Sequence, residues 1–256
     1  MTQAATSAAV FKSKAREALS DPALQQAMDR AKGGFVGARR IAVEDLAEFD
    51  SLRDTARDIK DHVLNHLDLY LERYERKTIE NGGHVHWAQT AEEACQIVKK
   101  ICLDADARLV AKGKSMVSEE MELNRVLEEA GIEVAETDLG EYIIQLAGES
   151  PSHIIAPAIH KTREQITELF YENHKSHGFS ERVTRREAIV NEARAVLRSV
   201  FARADVGITG ANFLIAESGA NVIVTNEGNG DLSSTLPRVQ IITAGIEKVI
   251  PSLDDL

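Results

Sequence analysis

The stretch LVAKGKSMVSEEMELNRVLEEAGIEVAET, residues 109–137, decides the fold. Leu109 to Ala111 is a short apolar run that predicts a strand. Ser118, followed by Glu119 and Glu120, starts a helix, because carboxylates favour the positive end of a helix. Glu133 to Thr137 then predicts a second strand. A strand, a helix and a strand in about thirty residues form the unit from which parallel sheets are built.

The pattern continues on both sides. Upstream, Val85 to Ala88 predicts a strand, and Thr90 with Glu93 a capping box at the next helix. Downstream, His153 to Ala156 predicts another strand, and Thr184 with Glu187 a capping box before a helix running to Arg203. Two β-rich runs, Val206 to Ile215 and Asn221 to Thr225, joined by Glu217-Ser218-Gly219-Ala220, predict a hairpin. The glycine loop Asn226-Glu227-Gly228-Asn229-Gly230 and a final strand, Val239 to Thr243, complete the series. Residues 84–256 are thus expected to form an α/β domain, a mostly parallel sheet with helices on both faces and an inserted β-hairpin.

Residues 1–83 read as an N-terminal helical arm. Phe11 to Leu19 is a short helix, Asp21 and Pro22 supply an N-cap and a first-turn proline, and Gly33-Gly34 is expected to interrupt the segment after that cap. From Val43, apolar residues at Leu46, Phe49, Leu52, Ile59, Val63 and Leu67 predict one long amphipathic helix ending near Gly82-Gly83.

Thirty Lys and Arg against 41 Asp and Glu leave a net charge of −11 over 256 residues, which excludes a basic nucleic-acid footprint. With 43% hydrophobic residues the chain can bury a core. Its apolar runs fall far short of the roughly 20 residues a membrane helix needs. The start, MTQAATSAAVFKSK, lacks the basic and apolar regions of a signal peptide, so a cytoplasmic protein is expected. The two cysteines, Cys95 and Cys102, lie seven apart on one predicted helix face, where packing into a core is the expectation.

Several segments invite chemistry. Gly113-Lys114-Ser115 follows a strand, but Arg108 stands where a phosphate loop needs its first glycine. Lys112 and Lys114 at this strand end are either an anion site or solvated side chains. Gly228 and Gly230 begin a dinucleotide-like pattern that Ser233 breaks, with no helix expected there. The pairs His62/His66, His84/His86 and His174/His177 lack a third acidic ligand in the zincin pattern, so no metal site is assigned; His160 falls where a parallel sheet presents its ligand crevice. Glu136, Asp138, Glu217 and Glu227 at strand ends and turns are candidate bases, nucleophiles or cation ligands, or else helix caps and turn formers. Asn212, Thr225 and Asn226 add polar groups beside apolar strands.

The segments 114–124, 136–142, 151–161, 207–212 and 224–230 together resemble the LUD domain, most closely the amino-terminal part of the lactate utilization protein B family. That resemblance implies a fold related to the sugar-phosphate isomerase and CoA-transferase group (NagB/RpiA/CoA-transferase-like). It also implies a place in an iron–sulfur system oxidising L-lactate to pyruvate with other lactate-utilization subunits. The resemblance further implies 4Fe–4S clusters in a cysteine-rich region of full-length members; residues 1–256 are expected to hold none. Under this reading Lys112, Lys114, Ser115, Glu136, His160, Thr209, Gly210, Asn212, Thr225, Asn226 and Gly228 are the candidate binding residues for a small carboxylate such as lactate or pyruvate, and Glu217, Glu227 and Asp138 the candidate catalytic residues. Two alternatives stay open: an acyl- or CoA-transferase with Glu217 as nucleophile, and a scaffold that docks partners through the arm.

Overall fold

The structure is a computed structural model that describes residues 8–153 and 156–256. The arm contains α1 (Ala8–Ser20), α2 (Pro22–Glu44), α3 (Phe49–Asn65) and α4 (Leu67–Glu80). There follow α5 (Ala91–Asp104), β1 (Leu109–Lys112), α6 (Met116–Glu120), α7 (Leu123–Glu129), β2 (Glu133–Glu136), α8 (Leu139–Ala147), α9 (Arg163–Asn173) and α10 (Arg186–Arg203). The chain ends with β3 (Val206–Gly210), β4 (Phe213–Ile215), β5 (Ala220–Val222), α11 (Asn229–Thr235), β6 (Val239–Thr243) and β7 (Val249–Ile250).

The main sheet has the order β2-β1-β3-β6 and every pairing in it is parallel. Alternation along β1 assigns its two faces: Val110 joins Val134, Val206 and Ile208 against α5 and α7, whereas Leu109 and Ala111 join Ala135 against α8, α9 and α10. Helices on both faces of a parallel sheet is the architecture the sequence predicts. Cys95 and Cys102 lie together in the first of these cores, also as expected. In the second, buried His174 bridges Tyr142 Oη at 2.8 Å and Glu192 Oε1 at 2.9 Å, giving a histidine at a helix end two polar partners in the interior.

β2 is an edge strand, and Gln145 of α8 covers it: its Nε2 donates to Val134 O at 2.7 Å and its Oε1 accepts from Glu136 N at 3.0 Å. The hairpin β4–β5 forms, but it does not enter the main sheet. It builds a second sheet, β5-β4-β7, with β7 parallel to β4. The arm packs on this sheet through Val63 and Tyr74, which meet Leu214, Ala216 and Val249. Gly219, at φ +72°, brings the hairpin turn against α4, where a Cβ would lie 2.5 Å from Thr78 N.

Several expectations are corrected. Gly33-Gly34 does not interrupt α2, since two glycines raise the cost of a helix by roughly 1 kcal/mol each without forbidding it. The single helix expected from Val43 to Gly82 is broken at 45–48 and again at His66, whose Nδ1 bonds the His62 carbonyl at 2.8 Å and satisfies the end of α3. Val85 to Ala88 forms no strand: the segment follows α4, Trp87 Nε1 donating to Glu75 at 3.0 Å, and no ladder partner lies beside it among the described residues. Ser115, not Ser118, caps α6, because β1 ends at Lys112. Thr90 caps α5, but Glu93 returns to the Gln89 N–H, one residue before the cap. Arg185 occupies the cap position of α10, so Thr184 and Glu187 make no capping box. Val206–Ile215 is two strands, parted at 211–212 where the chain leaves the main sheet. A helix, α11, opens inside the glycine loop at Asn229, and β7 follows the strand expected to be last. Of the strand expected at His153 to Ala156, Ile154 and Ile155 lie outside the described residues and the flanking ones are not in a strand.

The helix α11 lies directly on β3, and Gly207 makes this possible: a Cβ there would stand 1.8 Å from Ser233 O. Gly207→Ala should therefore destabilise the protein by about 3 kcal/mol or more, as overpacking against backbone does. Urea unfolding would read this as a lower midpoint with an unchanged slope, and an unchanged midpoint would contradict the packing described.

Candidate functional site

The carboxyl ends of β1 and β2 carry the charges. Lys112, the last residue of β1, is fully buried, and its Nζ lies 2.9 Å from Glu119 Oε1 of α6 and 2.8 Å from Glu136 Oε1 at the end of β2. Asn124 Nδ2 of α7 donates to the same Glu136 oxygen at 2.6 Å. Glu141, in the first turn of α8, brings a third carboxylate: one oxygen each from Glu119, Glu136 and Glu141 lie within 4.8 Å of one another. Burial alone would lower the pKa of Lys112, but Glu136 and Glu119 outweigh it and raise the value. Glu141 is pushed up to about 8, first by burial and then by the neighbouring Glu136 charge. Glu136 Oε2, Glu141 Oε2 and Asn124 Oδ1 are buried without a hydrogen-bond partner. The cluster forms one wall of an open cleft of about 1040 Å³ between α6–α7 and α8, with Glu128, Glu129 and Glu149 also lining it.

The carboxyl ends of β1, β3 and β6 carry hydroxyls. Thr243 Oγ1 lies 2.9 Å from both Ser115 Oγ and Ser118 Oγ, and 3.4 Å from Thr209 O. Gly210 lies against Ser115, whose Oγ would be 3.4 Å from an added Cβ. Thr137 Oγ1 donates to Lys112 O at 2.9 Å and is 3.2 Å from Ser233 Oγ of α11.

The candidate residues fall into separate places. Lys112 and Glu136 meet in the buried cluster; Ser115, Thr209 and Gly210 meet at the hydroxyl network, and half-buried Lys114 lies between Lys112 and Ser115 in the sequence. Asp138 caps α8, accepting from Gly140 N at 2.9 Å and Glu141 N at 3.3 Å. His160 lies between Ser152 Oγ at 2.6 Å and Glu149 Oε2 at 2.8 Å, and of these three Glu149 lines the acidic cleft. Lys161, first, and then His160 hold the Glu149 carboxyl below its ordinary range. Exposed Asn212 brackets the hairpin, its Oδ1 accepting from Val224 N at 2.8 Å. Thr225 donates to Asp231 at 3.0 Å, Gly228 caps α11 at φ +81°, and Asn226 and Glu227 stand in the loop before it. Glu217 stands apart on the second sheet, exposed, accepting from Leu253 N at 2.9 Å. The roles of Glu119 and Glu141 in the cluster were missed because no sequence spacing links them to Lys112; the apolar run before Lys112 is the one signal that it enters the interior.

The sequence model of the LUD domain matches residues 71–256. The chain belongs to the LUD domain family. It is 43% identical over 248 residues to lactate utilization protein B of Bacillus velezensis, covering 96% of this chain and 51% of that protein. Lactate utilization protein B of Bacillus subtilis is 42% identical, with 96% and 50% covered, and the uncharacterized electron transport protein YkgF of Escherichia coli 41% identical, with 98% and 52% covered. The chain thus spans about half the length of the curated relatives it matches. No solved structure matches. Among the described residues of this LUD domain, no helix is long and apolar enough to cross a membrane. Its two cysteines do not fit an iron–sulfur cluster, which takes four thiolates: both are buried, and burial raises their thiols, that of Cys102 to about 11.

Lys112→Met should cost about 3–5 kcal/mol in urea unfolding, because buried carboxylates lose their cation. Glu141 sets a pH dependence against the surrounding Glu136, Lys112, Glu119 and Asp138. Its folded-state value lies above the ordinary 4.5, so its stabilising contribution is complete below about pH 4.5 and is lost as pH rises through about 8. In metal-free buffer Glu141→Gln should therefore lose less stability than the parent between those two pH values. Equal losses would show that Glu141 titrates normally.

Proposed function

We propose that this LUD domain works within a lactate-utilization subunit in the oxidation of L-lactate to pyruvate, as its substrate- and subunit-docking part, with electrons carried by clusters outside residues 1–256. The relatives named lactate utilization protein B, similar over 96% of this chain, support the system. The observation that carries the site is topological. The chain leaves β1 for β2 on one side and β3 for β6 on the other, and α7 and α11 pack on opposite faces. A parallel sheet binds ligands outside its carboxyl ends at such a switch point. Lys114, Ser115, Thr209 and Gly210 lie there, and Asn212 follows on the loop leaving β3.

In this reading a small carboxylate takes its charge partner from Lys114, which follows the carboxyl end of β1 next to Ser115 and is half-buried, whereas Lys112 is fully buried between Glu119 and Glu136. Hydroxyls of Ser115 and Thr243 face the same edge and suit a 2-hydroxy acid. Residues 84–256 form the α/β domain and residues 1–83 the docking arm, where Phe11, Leu19, Phe35, Val36 and Ile41 leave apolar surface exposed on α1 and α2. The remote Glu217 has no comparable setting that favours acyl transfer.

Thermal unfolding in the presence of the partner subunits tests the reading. L-lactate or pyruvate at about ten times its Kd should raise Tm by about 3–6 °C, and Lys114→Ala should abolish the rise. No rise at millimolar ligand would overturn the assignment of the substrate to this domain.

A further inference from the structure

We propose that Glu119, Glu136, Glu141 and Asn124 form a binding site for one divalent cation of the hard, oxygen-preferring class: Mg²⁺, Mn²⁺ or Ca²⁺. Three observations carry it. The first is convergence: elements α6, β2 and α8 each deliver a carboxylate oxygen to a region in which all three lie within 4.8 Å of one another. The second is that donors are left over. Lys112 and Asn124 satisfy Glu136 Oε1, yet Glu136 Oε2, Glu141 Oε2 and Asn124 Oδ1 have no partner, and Glu136 and Glu141 are only 3% and 4% exposed. A buried carboxylate oxygen without a donor carries a desolvation cost that a bound ligand removes.

The third is charge. Once Glu141 gives up its proton to act as a ligand, the single ammonium of Lys112 stands against three carboxylates, leaving an excess of two negative charges that one divalent cation neutralises. Every donor is an oxygen, with neither imidazole nor thiolate in the set, which selects Mg²⁺, Mn²⁺ or Ca²⁺ over zinc or copper. Glu119, with its side chain 24% exposed, faces the cleft, so ions can enter and water can complete the shell. The proposal stands independently of lactate, because these residues lie off the edge strand β2 rather than between β1 and β3.

The test uses the 256-residue chain stripped with EDTA and titrated separately with MgCl₂, MnCl₂ and CaCl₂. At least one ion should bind with a stoichiometry of one by calorimetry and, at about a hundred times its Kd, raise Tm by about 5–10 °C. Glu141→Gln should remove the rise, and Asn124→Ala, the milder change should Glu141→Gln unfold, should weaken binding at least tenfold. Glu128→Gln, on the cleft wall outside the donor set, should leave binding unchanged and so separates a site from general attraction to an acidic cleft. Absence of binding by all three ions, or a rise that survives both Glu141→Gln and Asn124→Ala, would overturn the proposal.

Discussion

The ammonium of Lys112 has given up its water for two carboxylates, and much of the molecule is arranged so that this exchange is tolerable. Taking a charge into the interior costs several kcal/mol per ion, recovered only when partners are well placed. Here they come from α6 and β2, so the position of the short helix, the register of the edge strand and the end of β1 are fixed by one group. Ser115 can then cap α6 three residues later, and its hydroxyl reaches Thr243 at the far side of the sheet. Such an ion pair adds little net stability compared with an apolar core; its contribution is to specify which groups meet.

Two chemically distinct regions result at one end of one sheet. Beyond β2 the surroundings are acidic and poor in hydrogen-bond donors, which is unfavourable to a carboxylate ligand. Between β1 and β3 they are rich in hydroxyls, and a lysine stands at their rim. The separation explains why a cation and a hydroxy acid can be assigned to the same domain without competing for the same atoms.

Local features were legible in the sequence. β1, β2, β6, the hairpin and the caps at Asp21, Thr90 and Asp138 follow from short-range pattern and turn chemistry. The concealed features depend on distant partners. The helix α11, with the sequence NGDLSST, has almost no apolar periodicity and exists against β3 only because Gly207 lets its backbone approach. Lys112 reads as solvated until Glu119 and Glu136 are brought to it from other elements. His174 ends a helix, a locally surface-like position, yet it is enclosed by Tyr142 and Glu192. The family resemblance pointed to the binding residues as one set, whereas the fold divides them among the cluster, the switch point and the hairpin.

Gln145 imitates a neighbouring strand with a side chain, offering one donor and one acceptor where β2 would otherwise present them to solvent. An uncovered strand edge is a template on which another chain can add its backbone, productively or as aggregate. At this edge the template is already occupied. Growth of the sheet from β2 into a neighbouring molecule is blocked by a single amide, so any association on that side has to be made by side chains, whose complementarity can distinguish one partner from another as a backbone ladder cannot.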